Sequence, residues 1–537
     1  MFIPPFLYKS GKEDFNFEIK PDPGSRQEEV FMEYVSVELD VNRDYVSKKF
    51  CLPANGDIVV RDISFFAGKT LVRALLVCVD GLSNGQSLNE VVLKPLMRLG
   101  QQSNLQGVAD IDYIVNHLIP HGQVKKTQNI NDMINTVNIG NAVMFFDGFD
   151  TGIIIDVKSW EHRSVGSPVA EQVIQGPHEG FNEVLRSNTA LIRKTLNTPN
   201  LIMENVALGK TSKTPGSVAY LGNVANESLV KEVKRRIESI DAEYVLSTLD
   251  VEQYIEEASF LPIPQIVTTE RPDRVCRALT EGRVALVLNG SSHVLIMPAT
   301  VFDLASSVED EYLRYPYSLL IRFVRLAAVA IALLAPGVFV ATTMYHQELI
   351  LTELFLSIQS SRLAVPFSVI VELLIMELSF ELIREAGVRV PGHIGSTVGI
   401  VGGLILGTAA VDANIVSPVM IIVVAITGIA SFVIPSYSLS FSFRFSRFIY
   451  IFGAAAGGFL GLFSLFFSIT LMYMGTKSFG VPYGSPLAPF SKSKGSSAFF
   501  RMPLWKQDER PDYLRPKDKS DKAHISRKWL YKGDKHD

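Results

Sequence analysis

The sequence predicts an α/β region of two small subdomains, followed by an all-α polytopic membrane domain. Three observations carry this prediction. Short β-branched runs bounded by turn residues alternate with helical patterns as far as about residue 318, the rhythm of mixed α and β layers. Long, nearly uninterrupted apolar runs then fill residues 319–475. Hydrophobic residues make up 47% of the 537 residues and the mean hydropathy is +0.21, high for a wholly soluble chain.

Residues 1–56 are polar and mixed, with a PDPGS turn cluster at 21–25. They read as a mobile segment with a short helix near Gln27–Val35. Residues 57–165 read as the first subdomain. Asp57–Arg61 and Leu71–Val79 suit buried strands, and a helix is expected over Leu88–Leu99 behind Ser87 as N-cap. Ala142–Phe146 and Gly152–Val157 flank Asp147-Gly-Phe-Asp150, a hairpin signal. Residues 166–216 read as a linker with interdomain helices, and 217–318 as the second subdomain. There Ser217–Leu221 is a strand and Glu227–Ile240 an amphipathic, charge-laced helix. Gly282 is placed to end a helix at Glu281, and Arg283–Leu288 with His293–Met297 form a hairpin about Asn289-Gly290.

The soluble part carries no catalytic constellation, so the chain is not expected to be an enzyme, and neither a cofactor nor a metal is expected. Gly209-Lys210-Thr211 imitates the end of a phosphate loop. The pattern needs glycine five positions before the Gly-Lys pair, and Glu204 stands there, where its carboxylate repels phosphate. The histidines, His121, His162, His178 and His293 among them, show no ligand spacing. Cys51, Cys78 and Cys276 are too far apart for a metal signature and too few for a disulfide framework. A net charge of -4 gives no basic field for nucleic acid. The turn Gln175–Phe181 and the nearby Arg193 offer groups for an anion or for interdomain ion pairs. The N-terminus lacks the basic and apolar regions of a signal peptide, which places the soluble part in the cytoplasm.

In the membrane half, Phe323–Met344 spans, with Arg322 and Arg325 marking a cytoplasmic start. Ile394–Val411 is rich in glycine. Gly395, Gly399, Gly403 and Gly407 recur at the four-residue spacing that lets helices approach closely in lipid. Val416–Ile434 is a further span, and Phe448–Met474 is either one tilted helix or a broken one. Basic residues outnumber acidic ones in the tail, 476–537, so it too is expected in the cytoplasm. With both ends inside, the number of crossings is even. Four full spans plus one charged or re-entrant helix satisfy that.

The charged helix is the organising anomaly. Between Val365 and Gly403 the apolar sequence holds Glu372, Glu377, Glu381, Arg384 and Glu385. Charges at membrane depth are costly and face protein or a wet cavity. Glu377, Glu381, Arg384 and Glu385 fall on one helical face, with Glu372 turned away. That face either forms a buried ion-pair network or attracts cations. Val369, Leu373 and Met376 are then the apolar gates of a path that opens by wetting.

These blocks are specific enough for a family. Glu377–Gly387, Val390-Pro391, Ile394-Gly395, Gly399–Gly403, Ile429–Phe432 with Pro435, and Ser478–Tyr483 resemble the A subunits of the GerA family of spore germination proteins. So do Glu171–Phe181, Thr269–Asp273, Glu281–Arg283 and Pro298–Thr300 in the soluble half. The resemblance implies a subunit of a nutrient germinant receptor in the inner spore membrane, partnered by a transporter-like B subunit and a lipoprotein C subunit. It implies an oligomeric, pentameric channel that releases cations when germinant binds. Glu179, Arg193, Glu270, Arg271 and Asp273 fall in or beside its soluble blocks as interdomain residues. The alternatives are a solute-binding or transporter-like subunit, or a scaffold that conducts nothing.

Overall fold

The computed structural model describes residues 32–67, 70–102, 111–120, 122–158, 168, 170–389, 393–491 and 502–521. The PDPGS cluster, Gln27–Phe31, His121, His162 and Val390-Pro391 lie outside the described residues.

Helix α1 (Leu39–Lys49) packs Leu39, Tyr45 and Val46, with Phe50, against the first sheet. This corrects the reading of residues 1–56 as mobile throughout. Burial of these four apolar side chains holds a helix whose charged surface hid it in the sequence. The predicted helix at Gln27–Val35 does not reach its C-terminal end either: Met32–Glu38 is non-helical, with Tyr34 bridged to Asn129.

The first sheet comprises β1 (Ile58–Ala67), β2 (Thr70–Val79), β3 (Val124–Thr127), β4 (Ala142–Phe146) and β5 (Gly152–Ile155), in the order β1-β2-β4-β5-β3. The alternation of a strand sends odd and even residues to opposite faces. Leu75, Val77, Val143 and Phe145 meet α1 and α3 (Ile130–Val137), which follows α2 (Lys94–Gln102) in the chain. Ala74, Leu76, Met144 and Phe146 meet Leu88, Val92 and Leu96. The helix entered at Gly85 is capped by the Asn84 side chain, which accepts from Ser87 N at 3.0 Å; Ser87 is therefore not the cap.

The second sheet repeats this plan. α4 (Leu185–Thr195) leads into β6 (Leu201–Leu208) and β7 (Thr214–Leu221). α5 (Glu227–Glu238), α6 (Thr248–Ile255), β8 (Val267–Thr269) and α7 (Pro272–Glu281) follow, then β9 (Val284–Leu288) and β10 (Val294–Met297). The order, β6-β7-β9-β10-β8, is that of the first sheet position for position. Every pairing in both sheets is antiparallel, so each subdomain is α+β rather than α/β. Hairpins supply two of the four pairings in each sheet, and the other two join strands that are not consecutive in the chain. The stretch 166–216, read as a linker, contains α4 and the edge strand β6. Gly282, at φ 101°, ends α7 in the left-handed conformation that glycine accepts without a Cβ clash.

The helical region runs through α8 (Tyr315–Met344), α9 (Thr352–Arg362), α10 (Val369–Arg389), α11 (His393–Asp412), α12 (Pro418–Phe432) and α13 (Tyr437–Met474). Among the described residues, α8 and α13 are the two helices long and apolar enough to cross a membrane, and α12 is a shorter apolar helix. α13 is interrupted at Gly457 and Gly458, whose φ/ψ are -146°/20° and 57°/-139°. Its arms fold back on each other. Ser446 Oγ lies 2.9 Å from Tyr473 Oη, whereas 27 residues of straight helix would separate them by about 40 Å. The glycines Gly453 and Gly461 face each other across the hairpin, and a Cβ on Gly461 would strike the Gly453 carbonyl.

The helical region is tied to the second subdomain at both ends. Ile434 and Leu439 pack into the core that contains Val275, Val287 and Ile296. After α13 the chain returns to the same subdomain. Ser478 Oγ donates to Gln265 O at 2.6 Å and accepts from Ala299 N at 3.1 Å. Further on, Arg510 Nε donates to Thr280 O (2.7 Å) and Lys517 N to Val224 O (2.9 Å).

Candidate functional site

α10 is an apolar helix whose inward face carries charge, and its partners come from three other helices, α9, α12 with its N-cap residue, and α13. Near its start, Glu372 is fully buried. Its Oε1 accepts from Ser417 N at 2.6 Å and Ser417 Oγ at 2.5 Å, and Oε2 lies 3.4 Å from Arg362 Nε at the end of α9. A backbone N–H at the start of α12 is a natural donor to a carboxylate, being unused by the helix itself.

Further along, two glutamates meet a row of arginines. Glu377 lies 2.9 Å from Arg447 Nη2, and both side chains are buried. Glu381 lies 3.0 Å from Arg447 and 2.6 Å from Arg444. Arg384 sits 3.6 Å from Glu381, donates to Ser431 Oγ at 2.5 Å, and stacks between the Phe380 and Phe432 rings. Glu385 leaves this group: it pairs with Arg389 at 2.8 Å on the exposed surface. The single charged face predicted from Glu377 to Glu385 therefore ends at Arg384. Burying charges this way is tolerated because each faces an opposite one.

The proposed gates sit differently. Val369, Leu373 and Met376 are buried in one cluster with Val416, Met420 and Val424, so within this chain they pack on protein rather than face an open path. This corrects their reading as path-lining residues: at a spacing of three or four they share the inward face with Glu372, Glu377 and Phe380. The exposed face of α10 is instead Val371, Leu378 and Leu382.

The glycine row of α11 is described only at Gly403 and Gly407. Gly395 and Gly399 lie where side-chain surroundings are not described. A Cβ on Gly403 would meet nothing within 4 Å among the described residues, and one on Gly407 would meet Ile421 at 3.8 Å, an ordinary contact. Close approach at glycine occurs instead at Gly428, which leaves room for the Phe380 ring, and across the α13 hairpin.

Of the five soluble residues expected to be interdomain, Arg193 joins the two subdomains, and the contacts of the other four lie within residues 170–312. Arg193, fully buried, donates from Nε and Nη2 to Asp57 (2.6 and 2.9 Å), and from Nη2 to Asn55 Oδ1 (3.3 Å) and Leu201 O (3.1 Å). It joins the entry of the first sheet to the edge of the second. Arg271 pairs with Asp273 (2.7 Å) and donates to Glu171 O and Pro177 O, which holds the Gln175–Phe181 turn. Asp273 also accepts from Tyr312 Oη. Glu270 accepts from Ala170 N at 3.2 Å and lies 3.3 Å from His293 Nε2. Glu179 pairs with Lys194 on the surface at 2.7 Å. Arg193 and Arg271 are thus occupied by protein groups, which disfavours the anion-site reading of this turn. Burial pushes the thiols of Cys78 and Cys276 up to about 11 and about 12, away from nucleophilic use.

Arg362, Ser417, Arg444 and Arg447 were not picked out in the sequence. The signal was present: Arg444 and Arg447 interrupt the apolar run Phe441–Phe448, and buried carboxylates elsewhere in an apolar region demand such partners.

Two topologically matched α+β subdomains are thus joined to a helical bundle whose buried carboxylates are paired with arginines. Residues 45–513 match the family described as Bacillus/Clostridium GerA spore germination protein, and the chain belongs to that family. Spore germination protein KA of Bacillus subtilis (strain 168) is 38% identical over 466 residues, covering 87% of this chain and 85% of that one. The uncharacterized membrane protein YfkQ of the same organism is 38% identical over 456 residues, 85% of this chain and 87% of that one. The crystal structure of the N-terminal domain of the A subunit of the Bacillus megaterium spore germinant receptor GerK3 covers 50% of this chain and 96% of that one, with 26% identity and a TM-score of 0.39. The chain is a spore germination protein of the germinant receptor A-subunit type.

Proposed function

We propose that this chain is the membrane subunit of a nutrient germinant receptor and acts as an oligomeric, germinant-gated cation channel. Its partners are further copies of itself, five in the closed ring, together with a transporter-like B subunit and a lipoprotein C subunit. It resides in the inner membrane of the spore, with the soluble region and tail in the cytoplasm. The observation that carries the reading is α10, a helix with buried charge on one face and bare apolar residues, Val371, Leu378 and Leu382, on the other. An apolar face of that kind is available to neighbouring copies, and Glu385 beyond it, paired with Arg389 in this packing, is the exposed carboxylate that a repacked α10 would present to a cation path.

The arrangement of the ends supports the topology. The tail's Arg510 and Lys517 bind the second subdomain, so tail and soluble region share one side. The α13 hairpin begins and ends next to that subdomain. Gating in this reading is a population shift: germinant bound by a partner favours one packing of α10 over another.

The test is cation flux from liposomes holding the whole receptor, with cysteines placed at Leu378 and Leu382. The reading expects germinant-dependent flux that a thiol-reactive blocker stops, and altered cation preference on Glu385→Gln. Flux that ignores all three changes, or a receptor that signals with no flux, overturns it.

A further inference from the structure

We propose that the cavity between the second subdomain and the helical region binds a single-chain amphiphile: a hydrocarbon chain bearing a carboxylate or ester carbonyl. The cavity has a volume of about 360 Å³. Its walls come from the second subdomain (Ile263, Phe302), from α8 (Val329) and from both arms of the α13 hairpin (Phe443, Phe466). An engineered cavity of ~150 Å³ with similar walls stays dry and takes benzene. A larger one, within the ~300–1,000 Å³ of ordinary ligand sites, accommodates a medium-length chain.

Two donors mark where the head of the ligand belongs. Tyr483 lines the cavity and is 1% exposed, yet its hydroxyl has no hydrogen-bond partner among the described residues. Arg325 also lines the cavity. Its Nη atoms are spent on Asp310 at 2.5 and 2.9 Å, while its buried Nε is unpartnered among the described residues. A buried donor left unsatisfied is destabilising. Nε can only donate, so the missing group is an acceptor, which an ammonium group or a plain alkane does not provide. Two serine hydroxyls of the lining are already used: Ser446 bonds Tyr473, and Ser306 bonds Phe302 O. The ligand is therefore apolar along its length with one accepting end. A free fatty acid and one chain of a bilayer lipid share that chemistry.

This inference is independent of channel activity, because its readout is binding. The full-length chain, purified in detergent and delipidated, is photolabelled with a diazirine-bearing dodecanoic acid. Expected are saturable labelling, peptides from 326–333 and 466–474 carrying the label, and loss of labelling in Val329→Trp, which fills the cavity. Tyr483→Phe keeps the fold and weakens affinity about five- to tenfold, the loss of one hydrogen bond. Ala305→Leu provides a second filling variant should Val329→Trp fail to fold. Competition by dodecanoate alone identifies a free acid as the ligand, and competition by a lysophospholipid alone identifies a lipid chain; either supports the site. Labelling that does not saturate, or that both filling variants leave unchanged, overturns it.

Discussion

Arg193 and Asp57, 136 residues apart in sequence, meet in a buried two-pronged ion pair that ties the first sheet's entry strand to the edge of the second. Arg193 fills its other contacts with Asn55 and the Leu201 carbonyl, so the pair also fixes the edge of strand β6, where Met203 bonds Asn55 and Gly56 as well. Removing one partner of such a pair leaves an uncompensated buried charge. Arg193→Met is expected to lower unfolding free energy by about 3–5 kcal/mol, measured by denaturant titration. Arg193→Lys, which keeps charge but loses the fork, should recover only part of it.

Glu252 gives the soluble region a pH dependence of definite sign. Burial, with help from the nearby Glu256, pushes its carboxyl up to about 7. A raised acid means the folded state holds the proton more tightly than the unfolded chain. Stability therefore falls as pH rises from about 4.5 to 7 and is flat above that. Glu252→Gln should raise the melting temperature at pH 8 and leave it unchanged near pH 4. An equal shift at both values would show that the side chain acts by packing alone.

Asp303 works in the opposite direction. Burial alone would raise its carboxyl, but the Arg283 guanidinium at 2.7 and 2.8 Å overrides this and holds it below the ordinary range. Its contribution is complete above about pH 4 and disappears as pH falls through the depressed value. Asp303→Asn should destabilise at pH 7 and converge on the parent protein in acid. The same Arg283 donates to Tyr513 Oη at 3.2 Å, so the substitution should also raise protease sensitivity in residues 502–521.

Arg447 is the shared partner of Glu377 and Glu381. Arg447→Met is expected to cost about 3–5 kcal/mol in detergent-solubilised protein. The double change with Glu377→Gln should return part of it, giving a coupling of about 0.5–3 kcal/mol in a double-mutant cycle. Strict additivity would mean that Glu381 alone holds the arginine.

The α13 hairpin depends on two small residues. Gly461→Leu places a side chain against the Gly453 carbonyl, and is expected to separate the two arms. The distance between spin labels at positions 446 and 473 reads this out directly: it should be short in the parent background and longer in Gly461→Leu.

What the sequence made legible follows from the range of the forces involved. β2, β4, β9 and β10 are buried on both faces, so their composition alone marks them, and the Asn289-Gly290 turn fixes a hairpin locally. β6 escaped because its second half, Glu204 to Ala207, is half-exposed and polar. α1 escaped because only one stripe of a charged helix is apolar. Antiparallel pairing throughout is a long-range outcome that β-branched runs do not encode. At the site, Glu372, Glu377 and Glu381 stand out because carboxylates are rare in apolar helices. Their partners stand 45 to 70 residues away, and which of them meet is decided by bundle packing. The unmatched Tyr483 hydroxyl is invisible in sequence, since only the fold shows what is absent around it.

The chain leaves the second subdomain through α8 and is fastened to it again through Ser478, Arg510 and Lys517. The bundle is thus held like the jaws of a caliper whose two arms share one frame. Any spreading of α8 from the second arm of α13 changes the gap between two fixed points on a single subdomain. The soluble region cannot drift to absorb the displacement. Movement among the helices is delivered to it as a change of shape, and deformation of the subdomain is returned to the helices by the same two attachments.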